Sequence, residues 1–99
     1  MPDAVRERIN ANNARFRDAN ERIRDRAEEL GVAMERIPFL CECAVEDCVE
    51  IIHLTPGEYA AVRARRHRFM TAVGHEVAEE LVGEVVARED GYVVVEKHP

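Results

Sequence analysis

Three cysteines stand at positions 41, 43 and 48, a Cys-x-Cys-x4-Cys run. An odd number of cysteines leaves one over from any closed set of disulfides. Thiols so close together on one short loop can instead converge on a single ion. Thiolates are soft ligands and suit zinc better than magnesium or calcium. A structural zinc site takes four nitrogen or sulfur ligands in a tetrahedron, so three thiolates leave room for one imidazole. The alternatives for Cys41, Cys43 and Cys48 are a redox thiol pair or small buried hydrophobes.

Four histidines compete for the fourth place: His53, His67, His75 and His98. His98 is next to the C-terminal residue, where chains commonly fray. His67 lies in Arg63-x-Arg65-Arg66-His67-Arg68, whose cations oppose a second positive charge. His53 follows Cys48 closely, but it falls in an expected strand and can point to either face. His75 follows Gly74, a turn able to bring the ring back toward the cysteines. The residues alone leave His53 and His75 open, with a slight preference for His75.

If only the cysteines held an ion, the open position would be that of a catalytic zinc, with Glu76 as a base. A cysteine paired with His75 would be a thiol–imidazole nucleophile. Shared ligation is the simpler account of three adjacent thiols. The zinc-deaminase and His-Glu-x-x-His patterns are absent, and so are the P-loop, the Gly-x-Gly-x-x-Gly loop and the nucleophile elbow. The chain contains no serine. Arg63, Arg65, Arg66 and Arg68 offer a second chemistry, contact with phosphates, as in a nucleic-acid-associated regulator. Against it stand 14 basic and 20 acidic residues, a net charge of −6, and few aromatics for base stacking. A helix end carrying arginines that complement its dipole is the plainer explanation.

The elements that must position these residues divide at Gly31. From Asp3 to Leu30 the chain has seven arginines, seven carboxylates, four asparagines and no glycine; the remainder carries the whole acidic excess and every Gly, Cys and His. The first part reads as one long helix with Asp3 as N-cap and Gly31 just past its end. Ile9, Phe16, Ile23 and Leu30 recur every seven residues, while Asn12, Ala19 and Arg26 occupy the positions three further on. Such a narrow stripe serves packing against the rest of the chain, or a homodimer or protein partner through the helix, where Asn12 could set register.

Residues 32–99 form the second expected unit, beside 1–31. Ile37–Cys41 and Cys48–Leu54 read as strands flanking the loop 42–47. Thr55-Pro56-Gly57-Glu58 is a capping box with proline at N1, starting a helix to about Arg66 with Tyr59 and Val62 inward. Phe69–Val73 reads as a strand, 76–81 as a turn or short helix, and 82–89 as a strand. Asp90-Gly91 turns a hairpin into Tyr92–Glu96.

The set Phe39-Leu40-Cys41-Glu42-Cys43, Cys48, Leu54-Thr55-x-x-Glu58-Tyr59-x-x-Val62-Arg63, Phe69, Gly74-His75-Glu76 and Gly91-Tyr92-Val93-Val94-Val95-Glu96-Lys97 resembles a family of short, mostly uncharacterised actinobacterial proteins. The resemblance covers roughly residues 37–97. It implies that Cys41, Cys43, Cys48 and His75 form one metal site, and it brings no activity with it. The stretch 76–84 departs from the family pattern, having more alanine and less proline.

The expected architecture is therefore α+β: a long N-terminal helix, then a small zinc-stapled antiparallel β unit with one embedded helix and a C-terminal hairpin. A unit this small benefits from a staple, since little apolar surface can be buried. No apolar run is long enough to span a bilayer, and Met1–Asn10 has no secretory h-region, so the expected setting is cytoplasmic. The expected role is a non-enzymatic interaction or regulatory module.

Overall fold

A computed structural model describes residues 2–31 and 35–98. The fold is α+β, in the expected order. Helix α1 runs over Pro2–Leu30, followed by strands β1 (Ile37–Leu40) and β2 (Ile51–Leu54), helix α2 (Pro56–Arg63) and strand β3 (Arg68–Thr71). A 3-10 turn, His75–Glu79, leads into strands β4 (Gly83–Glu89) and β5 (Tyr92–Lys97). β1 and β2 pair antiparallel as one ribbon; β3, β5 and β4, in that order, form an antiparallel sheet. Among the described residues no helix is long and apolar enough to cross a membrane.

α1 begins at Pro2, so Asp3 lies within the helix rather than ahead of it; its side chain is outside the described residues. Gly31 ends the helix at φ 70°, the left-handed geometry of a C′ glycine. The stripe packs within the chain. Ile9 and Phe16 are buried and Ile23 is partly so, but Leu30 and Val5 are exposed. The second row of the stripe is Asn13, Asn20 and Ala27, all buried, four residues beyond the first row rather than three. Asn12, the expected register residue of a dimer, instead donates to the Ala44 carbonyl of its own chain at 2.9 Å.

Asn20 fastens α1 to β1. Its side-chain nitrogen donates to the Leu40 carbonyl at 2.9 Å, and its oxygen accepts from the Leu40 N–H at 2.8 Å. Leu40 thus gains, from a helix side chain, the two bonds that a neighbouring strand would supply. Phe39, on the opposite face of β1, stacks on Tyr59 of α2 with centroids 4.3 Å apart. Around this pair lie Ile37, Ile52, Leu54, Val62, Met70, Tyr92 and Val94, the hydrophobic core.

α2 starts as expected. The Glu58 N–H donates to the Thr55 hydroxyl, and the Glu58 carboxylate accepts from the Thr55 N–H. The helix ends at Arg63, three residues before the expected end, because the chain must turn back to enter β3 at Arg68. The hairpin turns at Gly91, φ 88°, and a bulge between Val85 and Ala87 shifts its register. The strands flanking the cysteines are shorter than expected, leaving residues 41–50 as one connection.

Candidate metal centre

The sulfurs of Cys41, Cys43 and Cys48 and a ring nitrogen of His75 lie within 4.8 Å of one another. His75 Nδ1 is 3.5 Å from the sulfurs of both Cys41 and Cys48. Cys41 and Cys43 are buried; Cys48 and His75 are partly exposed, so the cluster sits under the surface with one side toward solvent. The group could hold a metal ion.

Two segments build it. The first is the end of β1 and the connection beyond, where the Cys41 N–H donates to the Glu50 carbonyl and closes the loop at its base. The second is the turn after β3. Gly74 adopts φ 93°, a conformation costly for any residue with a β-carbon, and the His75 N–H donates to Ala72. This swings the imidazole back over the cysteines. The Ala72 N–H points the other way, donating to Cys41 Sγ at 3.1 Å.

Backbone N–H groups face all three sulfurs: Ala72 and Cys43 at Cys41, Val45 at Cys43, and Glu50 at Cys48. Donors aimed at sulfur favour the thiolate. Without a cation, however, the charges compete. The hydrogen bond from Cys41 pulls the Cys43 thiol down to about 5, and the same bond, with burial, pushes Cys41 up. Burial also raises Cys48. Each thiolate thus opposes ionisation of its neighbours, and a divalent cation would let more of the thiols ionise.

Between the two buried cysteines lies a group that the sequence reading passed over. Glu42 is fully buried. Its Oε2 accepts from the Arg63 guanidinium and from Asn20 Nδ2 at 2.8 Å, and its Oε1 accepts from the Met70 N–H at 3.1 Å. Its own N–H donates to the Met70 carbonyl, and its carbonyl accepts from Asn13 Nδ2 at 2.7 Å. Glu42 thus ties the cysteine loop to α1, α2 and β3 together. Burial pushes its carboxyl up, while Arg63, Asn20 and Met70 pull it back. Glu79 is the second such anchor, 1% exposed, accepting from Asn13 at 2.8 Å and from the Ala44 N–H at 2.7 Å. Burial raises it as well.

The other expected participants lie elsewhere. His53 is exposed on β2, opposite Pro38. His67 is in the turn before β3, and His98 is fixed rather than frayed, its N–H donating to the Val82 carbonyl. Glu76 is not poised as a base at the cluster: one oxygen accepts from the Gly74 N–H at 2.7 Å and the other pairs with Arg88 at 3.1 Å. Arg63 turns inward from the surface cluster. It spans Glu42 and Glu21, donates to the Tyr59 hydroxyl and lies 5.0 Å over the Tyr59 ring. Arg68 pairs with Glu96. That leaves Arg65 and Arg66 exposed. The signal for Asn13 and Asn20 was present in the sequence, as the row four residues beyond Ile9 and Phe16; nothing local marked Glu42, Glu79 or Arg63 as partners.

Compared with known families, curated proteins and solved structures, the chain matches no family model, no curated protein and no solved structure.

Proposed function

We propose that Cys41, Cys43, Cys48 and His75 hold one structural zinc ion, and that the chain is a non-enzymatic interaction or regulatory module built around it. The observation that carries this reading is the distance from His75 Nδ1 to two sulfurs, 3.5 Å each. Zn–S bonds of about 2.3 Å and Zn–N bonds of about 2.0–2.1 Å in a tetrahedron require sulfur–nitrogen edges of about 3.6 Å. The imidazole therefore stands where it would complete the coordination. Three sulfurs and a nitrogen form a closed structural set, with no position left for a reacting water.

A closed ion joins Cys41 to His75 across 34 residues and gives the connection 41–50 a shape that its sparse backbone bonding would not. Its contribution is folding energy, so the chain's function falls to its surfaces. The inner stripe of α1 is spent within the chain, so a second copy or another protein would meet the outer face, where Val5 and Leu30 are exposed at opposite ends.

The test is metal content together with ligation. Protein purified without added metal should carry one zinc per chain. Its cobalt derivative should give the visible spectrum of a tetrahedral site with three sulfurs and one nitrogen, and His75→Ala should change that spectrum. An open fourth position in the cobalt spectrum would favour a zinc enzyme instead. A folded protein with no metal would end the reading.

A further inference from the structure

On the side of the molecule where α1 passes the turn between α2 and β3, a cavity of about 420 Å³ is lined by Arg17, Glu21, Arg63, Arg65, Arg66 and His67. A neighbouring recess shares Arg65, Arg66 and His67 and adds Lys97. We propose that this cavity binds a compact phosphate-bearing ligand through Arg17, Arg65 and Arg66.

Its charges are unevenly satisfied. Glu21 is engaged by Arg24 at 2.7 Å and faces Arg63, which is itself committed to Glu42. Glu96, on the rim of the recess, pairs with Arg68 at 3.0 Å. Among the described residues, Arg17, Arg65 and Arg66 have no carboxylate within ion-pair distance, although the chain holds 20 acidic and 14 basic residues. Cations left unpaired in an acidic protein, and gathered in one concavity from two separate elements, form a site of local positive potential.

Position is enforced on at least one of them. The Arg17 guanidinium lies 5.3 Å over the Phe69 ring, and the Lys97 ammonium lies 4.7 Å from the same ring. Two cations share one aromatic ring, and an anion between α1 and the turn would relieve their repulsion. The guanidinium fork matches the oxygens of a phosphate in a bidentate manner. A volume of 420 Å³ falls within the range of small-ligand sites and exceeds what a lone phosphate needs. A compact ligand is favoured over an extended polyanion, because the net charge of −6 repels a long chain of phosphates.

The probe is inorganic pyrophosphate, titrated into the zinc-loaded full chain at low salt. Binding is read by calorimetry and by the NMR signals of the His67 ring and the arginine side chains. Binding should shift His67 and leave His75 unmoved. The double variant Arg65→Ala/Arg66→Ala should weaken pyrophosphate at least tenfold, and Arg17→Gln should weaken it severalfold. Zinc content and melting temperature should stay unchanged, since Arg65 and Arg66 are exposed. Arg6→Ala/Arg8→Ala, removing the same charge elsewhere, should have little effect. No binding at millimolar pyrophosphate overturns the proposal, as does equal weakening by the control pair. A single-stranded oligonucleotide that binds more tightly than pyrophosphate, with a steep salt dependence, also overturns it in favour of an extended polyanion.

Discussion

Cys41, Glu42 and Cys43 are consecutive, yet they belong to two different ways of holding the same loop. The two cysteines turn toward Cys48 and His75, a soft cluster near the surface that could hold a metal ion. Glu42 turns to the interior, where hard oxygen and nitrogen groups meet: the Arg63 guanidinium, Asn20 and the Met70 N–H. The cluster uses two residue types, three thiols and an imidazole, and could take an ion from outside. The interior network is met by groups of the chain itself, with Glu42 paired to an arginine that is itself mostly buried, although the Asn13 Oδ1 finds no partner. The cluster's thiols oppose one another's ionisation; the carboxylates of the network are each met by separate donors. The first arrangement could hold an ion; the second is built from protein groups alone.

Withdrawing metal is the largest perturbation that would separate them. If zinc fills the cluster, a strong chelator should lower the melting temperature by about 10–20 °C, the loss expected for about 2.7 kcal/mol of linkage at a ligand concentration a hundredfold above Kd. Hydrogen exchange should rise first in residues 41–50 and 72–76, while Leu40 and Met70 stay protected by Asn20 and Glu42. Calorimetry and exchange mass spectrometry would check this. Uniform loss of protection throughout the chain would break the distinction between the two systems.

Arg63→Met attacks the other side. It leaves the buried Glu42 carboxylate without its cation, held only by Asn20 and the Met70 N–H, and breaking a buried pair costs about 3–5 kcal/mol. Denaturant unfolding should show that loss, and adding Glu42→Gln should restore much of it, because a neutral amide tolerates burial. The zinc stoichiometry of both variants should match that of the parent protein.

Asn20→Ala should cost about 1–3 kcal/mol by leaving Leu40 and Glu42 with unmet polar groups. Its effect on cobalt ligation should be nil. This residue also marks where the sequence was hard to read. The cysteines were legible because such residues are rare and close together, whereas His53 and His75 stayed open on the residues alone, the turn at Gly74 giving His75 only a slight preference. Thr55, Glu58 and Asp90-Gly91 were legible because caps and turns are local. The network was not, because its partners are common residues 20 to 66 positions apart. Reading the helix stripe at three-residue offsets drew attention to Asn12 and away from Asn13 and Asn20. Arg63 looked like part of a basic surface, since only the fold reveals that a buried carboxylate awaits it.

The smallest effect concerns Lys97, which lies between Glu79 of the network and the half-buried Arg17. Burial holds its ammonium down to about 8, with Arg17 adding to the shift and Glu79 opposing it. In the unfolded chain it titrates near its ordinary 10.5. Between these values the unfolded state binds more protons than the folded state, so this group makes stability rise with pH across about 8 to 10.5. Below pH 8 both states hold the proton and the contribution is flat. Cysteines and tyrosines titrate in the same window, so the informative quantity is the difference between parent and Lys97→Met in urea unfolding measured at pH 7.5, 9 and 10. The stability advantage of the methionine variant should shrink as pH rises, because a neutral lysine no longer carries the penalty of burial. A difference independent of pH would mean that Lys97 keeps its proton equally well in both states, and that Glu79 holds it as firmly as burial and Arg17 push against it.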